Sequence, residues 1–382
     1  MPTTLRGRLV SGGTTTDDAV LVLDGDRVTA VLPAADHPDP PPPTGHLLLP
    51  GLVDVHCHGG AGGSFPDSDE AGVRRAAAHH RSRGTTTLVA SLVSATPTVL
   101  RDRLALLAPV VGDVLAGVHL EGPYLSAARC GAQDPAALRP GDPAELETLL
   151  STGAVVSVTF APETDHAAEL LAVCRAHGVL PSLGHTDADA ATTAAVVRAA
   201  GPPVSATHLF NGMPPLLSRA PGPVATCLAA AARGELVVEL VADGVHLAPE
   251  TVATVFDLVG PDAVALVSDA MAAAGEPDGA YRLGALDVTV REGVARLAHD
   301  PTAIAGGTAT LSDVLRRTVR DAGVDLAAAV TAATRTPAWL LGLDAEVGEL
   351  TPGRRADVLV TTPDLVPVAV YAAGVRVHRE EN

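Results

Sequence analysis

Histidines and carboxylates in this 382-residue chain recur where short apolar runs end. Asp54, His56 and His58 follow LLLPGLV, Glu121 follows LAGVHL, His185 follows VLPSLG, His208 follows VSAT, His246 follows VELVADGV, and Asp269 follows AVALVS. Three imidazoles and a carboxylate around one point are a ligand set for a divalent metal, zinc by default, and a position left open for water makes such a metal catalytic. The H-x-H pair His56/His58 is a weak signal by itself, because alternate residues of any strand face one side. Its weight comes from Glu121, His185, His208 and Asp269, which end further strand-like runs; in a parallel barrel every strand's C-terminal end faces the same rim. A metal there lowers the pKa of bound water towards neutrality. A nearby carboxylate such as Asp269 can then take the proton and return it to a departing amine. The alternative for Asp269 is a helix N-cap ahead of an Ala-rich segment, a role that requires no convergence with histidines. His119 shares Glu121's side of its strand, which suits either support of the site or plain burial.

Such convergence requires a scaffold. Short apolar runs (TTLVASLV, VLAGVHLEG, AVVSVTFAPE, LPSLGH, PVSATHLF, LVVELVADGVH, AVALVSDA) alternate with Ala-rich helical stretches from about residue 49 to 343. This is repeated βα. The number of units favours a TIM-like (β/α)8 barrel, although a doubly wound open sheet has the same local pattern. Ahead of it, AVLVLDGDRVTAVLP reads as strands around a turn, and the prolines of HPDPPPPTG interrupt regular structure. The tail ELTPGRRADVLVTTPDLVPVAVYAAGVRVHRE returns to short alternating strands. The expected organisation is therefore a β-sandwich from residues 1–48 and 344–382 beside a catalytic barrel over 49–343.

Composition removes several function classes. The formal charge is -18, so nucleic acid and anionic membranes find no electrostatic footprint. All 26 basic residues are arginine. The absence of lysine removes Schiff-base chemistry and the carboxylated lysine typical of dihydroorotases and hydantoinases. The four cysteines, Cys57, Cys130, Cys174 and Cys227, form no C-x-x-C pair, which fits a reducing cytoplasm. The start MPTTLRGRLVSGG lacks an apolar signal core, and no window is apolar for about eighteen residues. A soluble protein is expected.

LPGLVDVHCHG, HLEGPYL, LGHTDA, ATHLFNGM, ADGVH, VSDAM and AGGTATLSD together resemble the successive signatures of the N-acetylglucosamine-6-phosphate deacetylases of the amidohydrolase superfamily, from about residue 45 to 360. The resemblance implies that Glu121, His185 and His208 bind the catalytic metal. It also implies that His56 and His58, with Glu121 as bridge, form a second position, giving one or two ions per subunit. Asp269 matches the family's acid/base, and His246 a histidine that polarises the carbonyl or holds the sugar. Asn211 and Gly212 match positions that meet the substrate, and Arg219 matches the arginine that pairs with phosphate across a dimer interface, which implies a homodimer. Ala132 and Gln133 fall in a substrate loop; Gln133 stands where the family often has histidine and carries no charge. Ala305, Gly306 and Gly307 resemble a backbone-lined substrate loop. The implied reaction is hydrolysis of N-acetylglucosamine 6-phosphate to glucosamine 6-phosphate and acetate, in amino-sugar catabolism or cell-wall recycling. The alternatives are the galacto epimer, another amide substrate, and a non-catalytic scaffold barrel, which predicts lost ligands.

Overall fold

The computed structural model describes residues 2–379. Eight parallel strands lie side by side in chain order: β1 (Leu52–Cys57), β2 (Thr85–Leu92), β3 (Gly117–Glu121), β4 (Val155–Phe160), β5 (Leu180–Leu183), β6 (Ser205–Ala206), β7 (Val237–Leu240) and β8 (Val264–Leu266). Their apolar runs are buried throughout β1, β3, β7 and β8, because one face fills the barrel and the other meets helices. The crossover helices are α1 (Glu70–Ser82), α2 (Pro97–Leu107), α3 (Pro143–Leu150), α4 (Ala167–His177), α5 (Ala190–Ala200), α6 (Gly222–Ala231) and α7 (Pro249–Val259); α8 (Leu311–Arg320) follows β8. Several begin where a side chain closes the loop above the strand. Asp69 accepts from Gly72 N, Thr96 from Val99 N, Asp142 from Ala144 N and Glu145 N, and Asp189 from Thr192 N. Pro97 and Pro143 take the first helical position, where no N–H is needed.

The ring closes at the rim. Beyond β8 the chain bonds to the end of β1: Asp269 N donates to His56 O at 2.9 Å and His58 N to Ala270 O at 2.7 Å. Asp269, just beyond the last strand, is thereby fixed beside the histidines at the end of the first. At the opposite end Leu340 packs with Leu180, Val237 and Ala265 and plugs the barrel floor.

The terminal segments come together beside the barrel as expected, their strands joined in one continuous seven-stranded sheet. Leu47–Pro50 pairs in parallel with Thr3–Ser11 and antiparallel with Val358–Thr361, which joins the two chain ends in a single ladder. The sheet closes on a common core of Leu9, Leu21, Leu23, Val28, Leu48, Val358, Val360 and Tyr371, and its halves meet where Val28 N donates to Arg354 O.

One element departs from the expected unbroken βα repetition. Gly279–Leu283, Leu286–Arg291 and Val294–Leu297 form a three-stranded antiparallel sheet between β8 and α8. Its buried face (Leu283, Val288, Val290, Ala295, Leu297) packs on Val93, Met271 and Ala305, so the insertion sits against the rim.

Candidate active site

Four histidine rings and one carboxylate converge above the barrel from the C-terminal ends of four strands, His56 and His58 sharing the first. His56 Nε2 and His58 Nε2 are 3.1 Å apart, as are His185 Nε2 and His208 Nε2. Glu121 Oε1 lies 3.0 Å from His185 Nε2 and 2.9 Å from His208 Nε2, while Oε2 lies 3.3 Å from His58 Nε2. The backbone is turned to achieve this: His185, His208 and Asp269 have φ of 46°, 29° and 47°, a left-handed conformation that costs a non-glycine residue roughly 1–3 kcal/mol and clusters at functional sites.

The opposite ring nitrogens decide what the converging ones can do. His56 Nδ1–H donates to Glu239 Oε2 at 3.1 Å, His58 Nδ1–H to Ser91 O at 3.2 Å, and His185 Nδ1–H to Arg129 O at 2.8 Å. Carbonyls and carboxylates only accept, so the Nδ1 atoms carry the hydrogens and, in the neutral rings, Nε2 lone pairs face one another around Glu121. Lone pairs at such separations repel unless a proton or cation lies between them. Ring nitrogens ~2 Å from one shared cation stand roughly 3 Å apart, so the donor sets His56/His58/Glu121 and Glu121/His185/His208 fit a divalent ion in chemistry and spacing.

Without a cation, protons must take its place. Burial pulls the His56 ring down, but its bond to Glu239 and the charges of Asp269, Glu121 and Glu239 outweigh this and lift its pKa to about 10. Burial pushes Glu121 up, yet bonds from His185, His208 and His58 hold its carboxyl well below the usual range. Asp269 behaves likewise. Burial raises its carboxyl, and His58, with the charges of His56 and His246, overrides that and keeps it ionised.

Beneath the donors lies a layer of buried hydroxyls. His119 bonds through Nδ1 to Ser91 Oγ at 2.9 Å and through Nε2 to Thr159 Oγ1 at 2.8 Å, and Thr159 continues to Thr207 and Ser182. Burial and the charge of His56 hold the His119 pKa well below the ordinary value. His119 is thus a neutral support packed edge-on beneath His56, with ring centroids 4.7 Å apart.

A cavity of about 220 Å³ opens over the donors and is lined by His58, Glu121, His185, His208, His246 and Asp269. Ala132, Gln133, Asn211, Gly212 and Gly306 also line it. Gln133 Nε2 donates to Glu121 Oε2 at 2.6 Å and its Oε1 accepts from Ser94 N at 2.7 Å, so it fastens the carboxylate as well as facing the cavity. Asn211 turns its amide back to His208 O. Ala305 is buried in the core beneath the inserted sheet, and Gly307 N donates to Asp269 O at 2.6 Å; both brace the rim from outside the lining. Arg219 is not in its own chain's cavity but stands exposed on the loop that carries Leu216 and Leu217, themselves 51% and 55% exposed.

Two carboxylates escaped the sequence reading. Glu239 supports His56, and Asp243 Oδ2 accepts from His246 Nδ1 at 2.8 Å. Their signal was present: both are acidic residues inside or just beyond the apolar run LVVELVADGVH. Burial lowers the His246 pKa, and the bond to Asp243 with the charges of Asp269 and Asp243 more than offsets this, leaving it above the ordinary histidine value.

The sequence model of the amidohydrolase family matches residues 47–377. The chain belongs to the amidohydrolase family. Among solved amidohydrolase structures it resembles a mutant N-acetyl-D-glucosamine-6-phosphate deacetylase from Mycobacterium smegmatis in complex with N-acetyl-D-glucosamine-6-phosphate, at 39% identity and a TM-score of 0.94 over 99% of each chain. It is 30% identical over 342 residues to the N-acetylglucosamine-6-phosphate deacetylase of Bacillus subtilis (strain 168), covering 87% of this chain and 85% of that one. The N-acetylgalactosamine-6-phosphate deacetylase of Escherichia coli O157:H7 is 31% identical over 335 residues, covering 86% and 87%. Among the described residues no helix of this amidohydrolase is long and apolar enough to cross a membrane.

Proposed function

We propose that this amidohydrolase deacetylates N-acetylglucosamine 6-phosphate, giving glucosamine 6-phosphate and acetate, with zinc as its metal at one or two ions per subunit. Asp269 carries the assignment. Its Oδ1 lies 3.3 Å from His58 Nε2 and its Oδ2 3.6 Å from His246 Nε2, so one ionised carboxylate faces both the donor cluster and the open cavity. Glu121, His185 and His208 would hold the first ion, and His56 and His58 with Glu121 the second. When bound, such an ion polarises an amide carbonyl and lowers the pKa of water. Asp269 takes a proton from the attacking water as its oxygen bonds to the acetyl carbon. It then returns that proton to the sugar nitrogen as the C–N bond breaks, so acetate leaves with the water's oxygen. His246, fixed by Asp243, directs Nε2 at the acyl oxygen or the sugar.

The phosphate needs a cation. No arginine lines the cavity among the described residues, and the chain has no lysine. This supports a homodimer in which Arg219 of the partner subunit supplies a planar, bidentate contact, with Leu216 and Leu217 covered in the same interface. The four cysteines are free, in keeping with a reducing cytoplasm.

The galacto epimer is the second candidate substrate, because a relative named for it matches about as well as those named for the gluco epimer. Acetate release from the two phosphorylated epimers and from unphosphorylated N-acetylglucosamine separates the cases. The expected result is activity confined to phosphorylated sugars, with the gluco form preferred. A metal-loaded protein inactive on all three overturns the substrate assignment.

A further inference from the structure

Glu239 is a buried acid with no arginine paired to it among the described residues. It sits on β7 with 4% exposure, and its only ion-pair partner among the described residues is His56. The other two supported ligand rings, His58 and His185, lean on neutral backbone carbonyls. A carboxylate behind an imidazole fixes the ring's tautomer and makes its far nitrogen a stronger donor than a carbonyl does. The charges point the same way. Three buried carboxylates, Glu121, Asp269 and Glu239, surround the His56 ring at 3.7, 3.6 and 3.1 Å, so this end of the cluster carries concentrated negative charge for a cation to meet. The same Glu239 oxygen also accepts from His208 N at 3.3 Å, a weaker backbone contact to the other donor set that any acceptor of this length preserves.

We infer that Glu239 is a positioning residue for the second cation: it holds and charges His56 so that the His56/His58/Glu121 set binds an ion in its own right. This rests on the two-position reading of the donor cluster given above. Glu239→Gln is the matching probe, since it keeps the side chain's length and an acceptor oxygen while replacing the charged carboxylate by a neutral amide.

The experiment is cobalt(II) titration of the full-length, chelator-stripped protein, following heat and the d–d absorption bands, for wild type, Glu239→Gln, His56→Ala and the double variant. Wild type is expected to take two equivalents. In Glu239→Gln the second should loosen by about 10–100-fold, while the first keeps its affinity within about twofold and its spectrum unchanged. In the His56→Ala background, Glu239→Gln should add nothing, because its effect passes through that ring. Two equivalents of wild-type affinity in Glu239→Gln overturn the inference while leaving the two-position reading intact. Equal loosening of both equivalents also overturns it, since Glu239 would then be a general structural support. A wild-type protein that takes one equivalent removes the two-position reading, and this inference with it.

Discussion

Gly212 is the most economical place to test whether the site depends on ring placement. Its φ is +61°, and a Cβ added there would stand 2.9 Å from His185 Nδ1 and 3.3 Å from Cε1 and Cγ. Ordinary contact begins at 3.4 Å, so the ring must retreat by about half an ångström. It cannot do so freely, because Nδ1 is tethered to Arg129 O at 2.8 Å. In Gly212→Ala the left-handed backbone costs about 1–2 kcal/mol. Stretching the tether costs roughly a further 1 kcal/mol. A displaced Nε2 should weaken metal binding at Glu121/His185/His208 by about 10–100-fold. Gly153→Ala is the control: its φ is +72° with nothing within 4 Å, so it suffers the backbone term alone. Chemical denaturation, metal-buffered titration and acetate release are measured on both. Gly212→Ala with wild-type metal affinity, wild-type kcat/KM and no more instability than Gly153→Ala would refute the steric argument.

Asp269→Asn should retain metal and substrate affinity while kcat falls by about 10²–10⁴-fold, the usual contribution of a general acid/base; a variant with near-normal kcat excludes Asp269 from proton transfer. Arg219→Ala should raise KM for the 6-phosphate and leave the weak binding of unphosphorylated sugar unchanged, and light scattering showing a fully active monomer rules out its action across subunits. Burial holds the His80 pKa at about 4, below the ordinary value of about 6.5. The unfolded chain therefore takes up a proton between these values, stability rises with pH, and roughly 3 kcal/mol present above pH 6.5 is lost as pH falls through 4. Urea denaturation at pH 7 and 4.5 should show a shallower pH dependence in His80→Leu, and an unaltered slope counts against the assignment.

The sequence by itself determined the residue types and their periodic placement. Apolar runs long enough for one strand each, broken by Ala-rich helical stretches, dictate βα repetition, and parallel strands joined that way put their C-terminal ends on one rim. That is why Glu121, His185, His208 and Asp269 could be picked out together. The alternation in residues 279–297 was legible too, with Gly284 and Gly293 at its turns, but regular βα spacing around it masked a three-stranded insertion. Tertiary structure alone decided which nitrogen of His56, His58 and His185 faces the centre, because Nδ1 of each is claimed by a partner that local sequence does not supply. Glu239 is 183 residues from His56 and Arg129 is 56 from His185. Such pairs exist only once the ring of strands has closed. Closure also set Asp269 beside His56, through a backbone bond that periodicity does not encode, and left Arg219 outside its own chain's cavity. Side-chain type and spacing are properties of the chain; ring orientation, charge balance and access are properties of neighbours brought together by packing.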